Sequence, residues 1–117
     1  MAGFEVLLVE DDRDLRSVIA EALRRAGLAV HEAADGQQAL DLVASGVRPR
    51  LILLDIVMPV MDGFTFLRHK QMARALAQVP VIVISATAEP PVDGACCVLR
   101  KPVDRETLLS AVQAWTA

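Results

Sequence analysis

The chain has 117 residues, 54% of them apolar, with a net charge of −3, which suits one domain over residues 1–117 with a buried core. The weak negative charge, an aromatic content of 3% and the absence of Tyr leave neither a basic patch nor a base-stacking surface, so nucleic-acid binding by this chain alone is not expected. No apolar run nears the roughly 18 residues of a membrane span, and Met1–Glu5 lacks the basic and apolar regions of a signal peptide, so the expectation is a cytoplasmic protein without a membrane partner.

Phe4 to Val9 becomes a continuous apolar run, the pattern of a strand buried on both faces. A helix is predicted from about Arg13 to Ala26, with Leu15, Val18, Ile19, Ala22, Leu23 and Ala26 along one face and Gly27 placed to end it in a left-handed conformation. Leu28–Glu32 reads as a second strand. Asp35-Gly36 opens a helix that turns Ala39, Leu40 and Val43 inward and ends near Gly46. Leu51-Ile52-Leu53-Leu54 is the third strand, and a helix follows the Pro59–Gly63 loop from about Gly63 to Ala77. Val81–Ile84 and Cys96–Arg100 are the remaining strands. Asp104 N-caps a last helix with Leu108, Val112 and Trp115 on one face. The adjacent Cys96 and Cys97 cannot easily pair with each other and are read as small buried or half-buried apolar residues.

Strands alternating with helices imply βαβ units and a doubly wound parallel sheet, a three-layer α/β fold with helices on both faces. Chemistry in such sheets gathers outside the carboxyl ends of the strands. There stand Glu10-Asp11-Asp12 after the first strand, Asp55 after the third, Ser85 after the fourth and Lys101-Pro102 after the fifth. Asp12, and with it Asp14, is explained by helix capping and first-turn charge. Asp55 is not, because apolar residues flank it on both sides. Three carboxylates (Glu10, Asp11, Asp55) against one ammonium (Lys101) leave an excess of negative charge that only a bound cation relieves. An all-oxygen donor set without His or Cys selects a hard cation, and few protein ligands suit Mg²⁺.

Val9-Glu10-Asp11-Asp12, Leu54 to Gly63 (with Asp55, Pro59 and Asp62), Val83-Ile84-Ser85-Ala86 and Leu99-Arg100-Lys101-Pro102 together resemble the receiver domain of bacterial response regulators over essentially the whole chain. The resemblance implies a five-stranded sheet of order 2-1-3-4-5 and a two-component phosphorelay. In it, Asp55 accepts a phosphoryl group from a phosphohistidine on a sensor histidine kinase or a histidine phosphotransfer protein, and the domain is not a turnover enzyme. It also implies Mg²⁺ held by Asp11, Asp55 and the backbone carbonyl of Val57, with Glu10 acting through a water. Lys101 would pair with one phosphoryl oxygen, and Ser85 would donate a hydrogen bond to another. Ala86, Thr87, Val98 and Pro102 fall at its switch and loop positions, Pro102 after a cis peptide bond. His31 and His69 match no motif position and are read as structural or surface residues.

The chain departs from the family at Val98, where an aromatic residue is usual. The Ala86–Ala95 crossover, with Pro90-Pro91 and Asp93-Gly94, is also short for a parallel connection, so the fourth helix of the usual fold is expected to be shortened or absent. Two other readings stay open. One is a pseudo-receiver that binds partners without being phosphorylated. The other is an enzyme on the same architecture, which the acidic first loop and the lack of a second Asp at Val57 argue against.

Overall fold

The computed structural model describes residues 4–56, 63–72, 74, 76–86, 92 and 94–116. Nine elements follow one another: β1 (Glu5–Val9), α1 (Arg13–Arg25), β2 (Ala29–Ala33), α2 (Gly36–Ala44), β3 (Leu51–Asp55), α3 (Gly63–Met72), β4 (Val81–Ser85), β5 (Cys97–Arg100) and α4 (Arg105–Thr116). All strand pairs are parallel and the order is β2-β1-β3-β4-β5, as the resemblance implied.

The strand sequences dictate the layering. On the three central strands successive side chains point to opposite faces. Leu7, Val9, Ile52, Leu54, Val81 and Val83 pack under α2 and α3, against Ala39, Val43, Phe66 and Leu67. Val6, Leu8, Leu51, Leu53, Ile82 and Ile84 pack under α1 and α4, against Ile19, Ala20, Leu23, Leu108 and Val112. All twelve strand residues are buried, which is why these segments read as unbroken aliphatic runs. The edge strand β2, Ala-Val-His-Glu-Ala, is largely half-buried or exposed. His31 there meets Glu5 of β1 at 2.7 Å, a structural role in keeping with its reading from sequence; His69 is exposed.

Helix ends are set locally. Asp12 caps α1 by accepting from the amides of Asp14 and Leu15 at 3.0 and 3.1 Å, and Asp104 accepts from the Thr107 amide at 2.7 Å. Gly27 and Gly46 have φ of 92° and 116° and close α1 and α2 with paired bonds, Leu28 N to Leu23 O and Gly27 N to Arg24 O in the first, Val47 N to Leu42 O and Gly46 N to Val43 O in the second. Asp35 caps α2, accepting from the Gln38 amide at 2.8 Å. Asp35→Ala removes this cap and is expected to lower stability by about 1 kcal/mol in urea denaturation.

Several sequence expectations are corrected. Val18 is 65% exposed. The buried side of α1 is Ile19, Ala20 and Leu23, because the sheet covers a narrower arc than the apolar stripe spans. Trp115 is 45% exposed and Thr116 is buried instead: the inward line of α4 steps by four residues, drifting about 40° per step around the axis, so the last turn presents Thr116. Cys96 is exposed, while Cys97 is half-buried as expected; Cys96 lies in the bend before β5 and Cys97 is the first residue of the strand. Helix α3 is assigned to Met72, and Ala77 lies in a turn. Between β4 and β5 the described residues Ala86, Val92, Gly94, Ala95 and Cys96 all lie outside any helix, in keeping with the shortened or absent helix expected there; residues 87–91 and 93 lie outside the described residues. The described residues hold four helices.

Candidate functional site

The sheet order reverses between β1 and β3. These strands pair Val9 with Leu54, which places the next residues of each, Glu10 and Asp55, side by side at the carboxyl rim. Carboxylate oxygens of Glu10, Asp11 and Asp55 all lie within 4.8 Å of one another, and no other group of this kind occurs among the described residues. Glu10 and Asp55 are buried, at 2% and 5% exposure, whereas Asp11 is open to solvent. A solvent-facing ligand beside two buried ones is a suitable mouth for a cation that keeps several waters.

Lys101 completes the cluster. Its Nζ lies 2.8 Å from Glu10 Oε1 and 3.4 Å from Asp55 Oδ2. The ammonium is carried there by β5, which pairs Ser85 with Arg100, and by a bond from the Lys101 amide to the Ser85 carbonyl at 3.0 Å. The Lys101–Pro102 peptide is cis, as expected. Ser85 is wholly buried at the end of β4, one residue past Ile84, the register partner of Asp55. Val98 is half-buried opposite Val83, on the α2/α3 side. Ala86 and Pro102 are exposed. The expected carbonyl ligand at Val57 and the loop residue Thr87 lie outside the described residues.

The electrostatics follow from this crowding. Burial pushes the Asp55 carboxyl up from 3.8 to about 7, helped by a hydrogen bond with Glu10 and its negative charge and by a hydrogen bond with Asp11; the Lys101 cation pulls the other way. Burial lowers the Lys101 ammonium, but bonding to Glu10 and the charges of Glu10 and Asp55 outweigh it, so its net direction is upward. The ammonium offsets part of the negative charge and still leaves Asp55 poised to hold a proton near neutrality, so the pocket fits a dication: all donors are oxygen, and the charge is incompletely balanced.

Sequence reasoning passed over two contributors. Arg16 Nη1 donates to the Glu10 carbonyl at 2.8 Å, and the Glu10 amide donates to Ala33 O at 3.0 Å. Neither leaves a motif, since both contacts are to backbone.

Residues 6–113 match the response regulator receiver domain family. The chain belongs to that family. This receiver domain is 42% identical over 82 residues to the transcriptional regulatory protein CpxR of Escherichia coli, covering 70% of this chain and 33% of that protein. It spans about a third of the length of the curated relatives that head the comparison. Among solved structures it is similar to the chemotaxis protein CheY4 of Vibrio cholerae, at 33% identity and a TM-score of 0.88 over 97% of this chain and 99% of the other. It is also similar to the receiver domain of the sensor histidine kinase PA1611 of Pseudomonas aeruginosa, at 35% identity and a TM-score of 0.87 over 97% and 98%. The PA1611 domain carries a magnesium ion coordinated in its active-site cleft. Receiver domains accept phosphoryl groups from histidine kinases and are ordinarily phosphorylated proteins rather than turnover enzymes. Among the described residues, no helix is long and apolar enough to cross a membrane.

Proposed function

We propose that this receiver domain accepts a phosphoryl group on Asp55 from the phosphohistidine of a sensor histidine kinase or histidine phosphotransfer protein, with Mg²⁺ in the acidic pocket. The observation that carries this reading is the meeting of Glu10, Asp11 and Asp55 within 4.8 Å beside the Lys101 ammonium. The magnesium in the PA1611 cleft supports it.

An Asp55 carboxylate oxygen attacks phosphorus. The O–P bond forms as the P–N bond to the partner's imidazole breaks, and the bonding pair stays on that nitrogen, which takes up a proton. Asp11 and Asp55, with the Val57 carbonyl, would hold Mg²⁺, and Glu10 would reach it through a water. Bound there, the ion would supply charge stabilisation for the transferring group. Lys101 contributes the second cation: once the charge of Glu10 and Asp55 is met otherwise, its ammonium can turn to a phosphoryl oxygen. Ser85 would donate its hydroxyl to another. The product is a mixed anhydride, open to hydrolysis, so the signal decays. Its output passes to a protein partner or to a domain outside these residues.

Incubation with Mg²⁺ and acetyl phosphate followed by intact mass measurement should show a single phosphoryl adduct that a chelator prevents. Mg²⁺ uptake without any adduct would favour the pseudo-receiver reading, to which Val98, in place of the usual aromatic residue, lends support.

A further inference from the structure

We infer that Arg16 is a positioning residue for the metal pocket, acting on the backbone of Glu10; this rests on the Mg²⁺ reading above. Glu10 occupies the turn between β1 and α1, and both of its backbone polar groups are tied away from the pocket. Its amide donates to Ala33 O of β2 at 3.0 Å, and its carbonyl accepts from Arg16 Nη1 at 2.8 Å. The carbonyl belongs to the same rigid peptide plane as the Asp11 amide. Holding that oxygen therefore fixes where the Asp11 side chain starts. It also fixes the approach of the Asp12 amide, which donates to Glu10 Oε2 at 3.1 Å. One guanidinium contact thus orients both first-loop carboxylates of the pocket, Glu10 and Asp11.

The guanidinium is itself held. Arg16 Nε faces Glu32 Oε1 at 3.5 Å, and Arg24 Nη1 takes the other Glu32 oxygen at 3.2 Å, while Arg24 Nη2 donates to Val30 O at 2.9 Å. The two arginines differ in placement. The Arg16 side chain is 18% exposed, and that of Arg24 is 50% exposed and has no contact with Glu10 among these bonds. Arg24 therefore serves as an internal control for the α1–β2 clamp without the pocket contact. The field of a nearby cation acts in the opposite sense: an arginine by the pocket repels Mg²⁺, so removing its charge alone would tighten binding.

The test is Mg²⁺ titration by calorimetry on the whole chain, with the unfolding temperature of every variant measured alongside. Arg16→Ala should weaken Mg²⁺ affinity about tenfold, the low end of the range for residues that orient metal ligands. Arg24→Ala should leave it within about twofold, and Arg16→Lys, which keeps a donor and the charge, should fall between Arg16→Ala and the parent protein. In the absence of metal, Arg16→Ala should also speed hydrogen exchange at the Asp12 amide. Affinity in Arg16→Ala equal to or tighter than the parent would overturn the inference. So would an equal loss in Arg24→Ala, or Arg16→Lys binding more weakly than Arg16→Ala. A parent protein that takes up no Mg²⁺ would instead bring down the metal reading itself.

Discussion

Asp55→Asn is expected to lose the phosphoryl adduct entirely and yet, in metal-free buffer at pH 8, to unfold at higher urea than the parent protein. The first effect follows because the amide has no anionic oxygen to attack phosphorus. The second follows from the Asp55 carboxyl, which moves from 3.8 to about 7 on folding. For a group raised in this way the folded state holds the proton more tightly than the unfolded one. Its contribution is complete below 3.8 and shrinks as pH climbs toward about 7, beyond which a charge is forced into the 5%-exposed site. Asn never ionises and escapes that loss. With each pKa unit worth about 1.4 kcal/mol, and allowing for relaxation around the charge, the gain should be about 1–3 kcal/mol at pH 8 and near zero at pH 4. Saturating Mg²⁺ should narrow the gap, because only the carboxylate gains from the ion. A variant less stable than the parent at pH 8 without metal would contradict the crowding described for this pocket.

Mg²⁺ affinity should fall about tenfold per pH unit below about 7 and level off above it, since one proton must leave Asp55 before it can act as a ligand. Between pH 7.5 and 5.5 the apparent dissociation constant should thus rise on the order of 30-fold. Calorimetry in buffers of different ionisation enthalpy should count close to one proton released per ion at pH 6 and almost none at pH 8.5. Lys101→Met supplies a sign check. Lys101 pulls the Asp55 carboxyl down, so its loss should move the inflection above about 7 while strengthening binding at high pH, where repulsion of the dication is relieved. Affinity that stays flat from pH 5.5 to 8 would mean that Asp55 holds no proton there.

The architecture was legible in the sequence because the central strands are buried on both faces, so β1, β3 and β4 appear as aliphatic runs whose ends carry polar chemistry. Glu10, Asp11, Asp55 and Ser85 were visible for the same reason, each ending or following such a run, and Lys101 through the Leu99-Arg100-Lys101-Pro102 motif. The strand order was not derivable from spacing and came from resemblance. Local stripes misled where the covering surface is finite, as at Val18 and Trp115. Contacts set by register were invisible. His31 reaches Glu5 only because β2 lies beside β1, and Arg16 bonds a carbonyl, a partner present at every residue. The split attachment of Lys101, closer to Glu10 than to Asp55, depends on side-chain placement that no pattern of residue types encodes.

The bond between the Lys101 amide and the Ser85 carbonyl has a mechanical consequence. The hydroxyl and the ammonium proposed to meet the phosphoryl oxygens are not two independent levers. Their main chains are tethered to each other where β4 ends beside the edge strand β5, and a pull on either one drags its neighbour. Any displacement begun at the rim is therefore handed along β5, at the edge of the sheet.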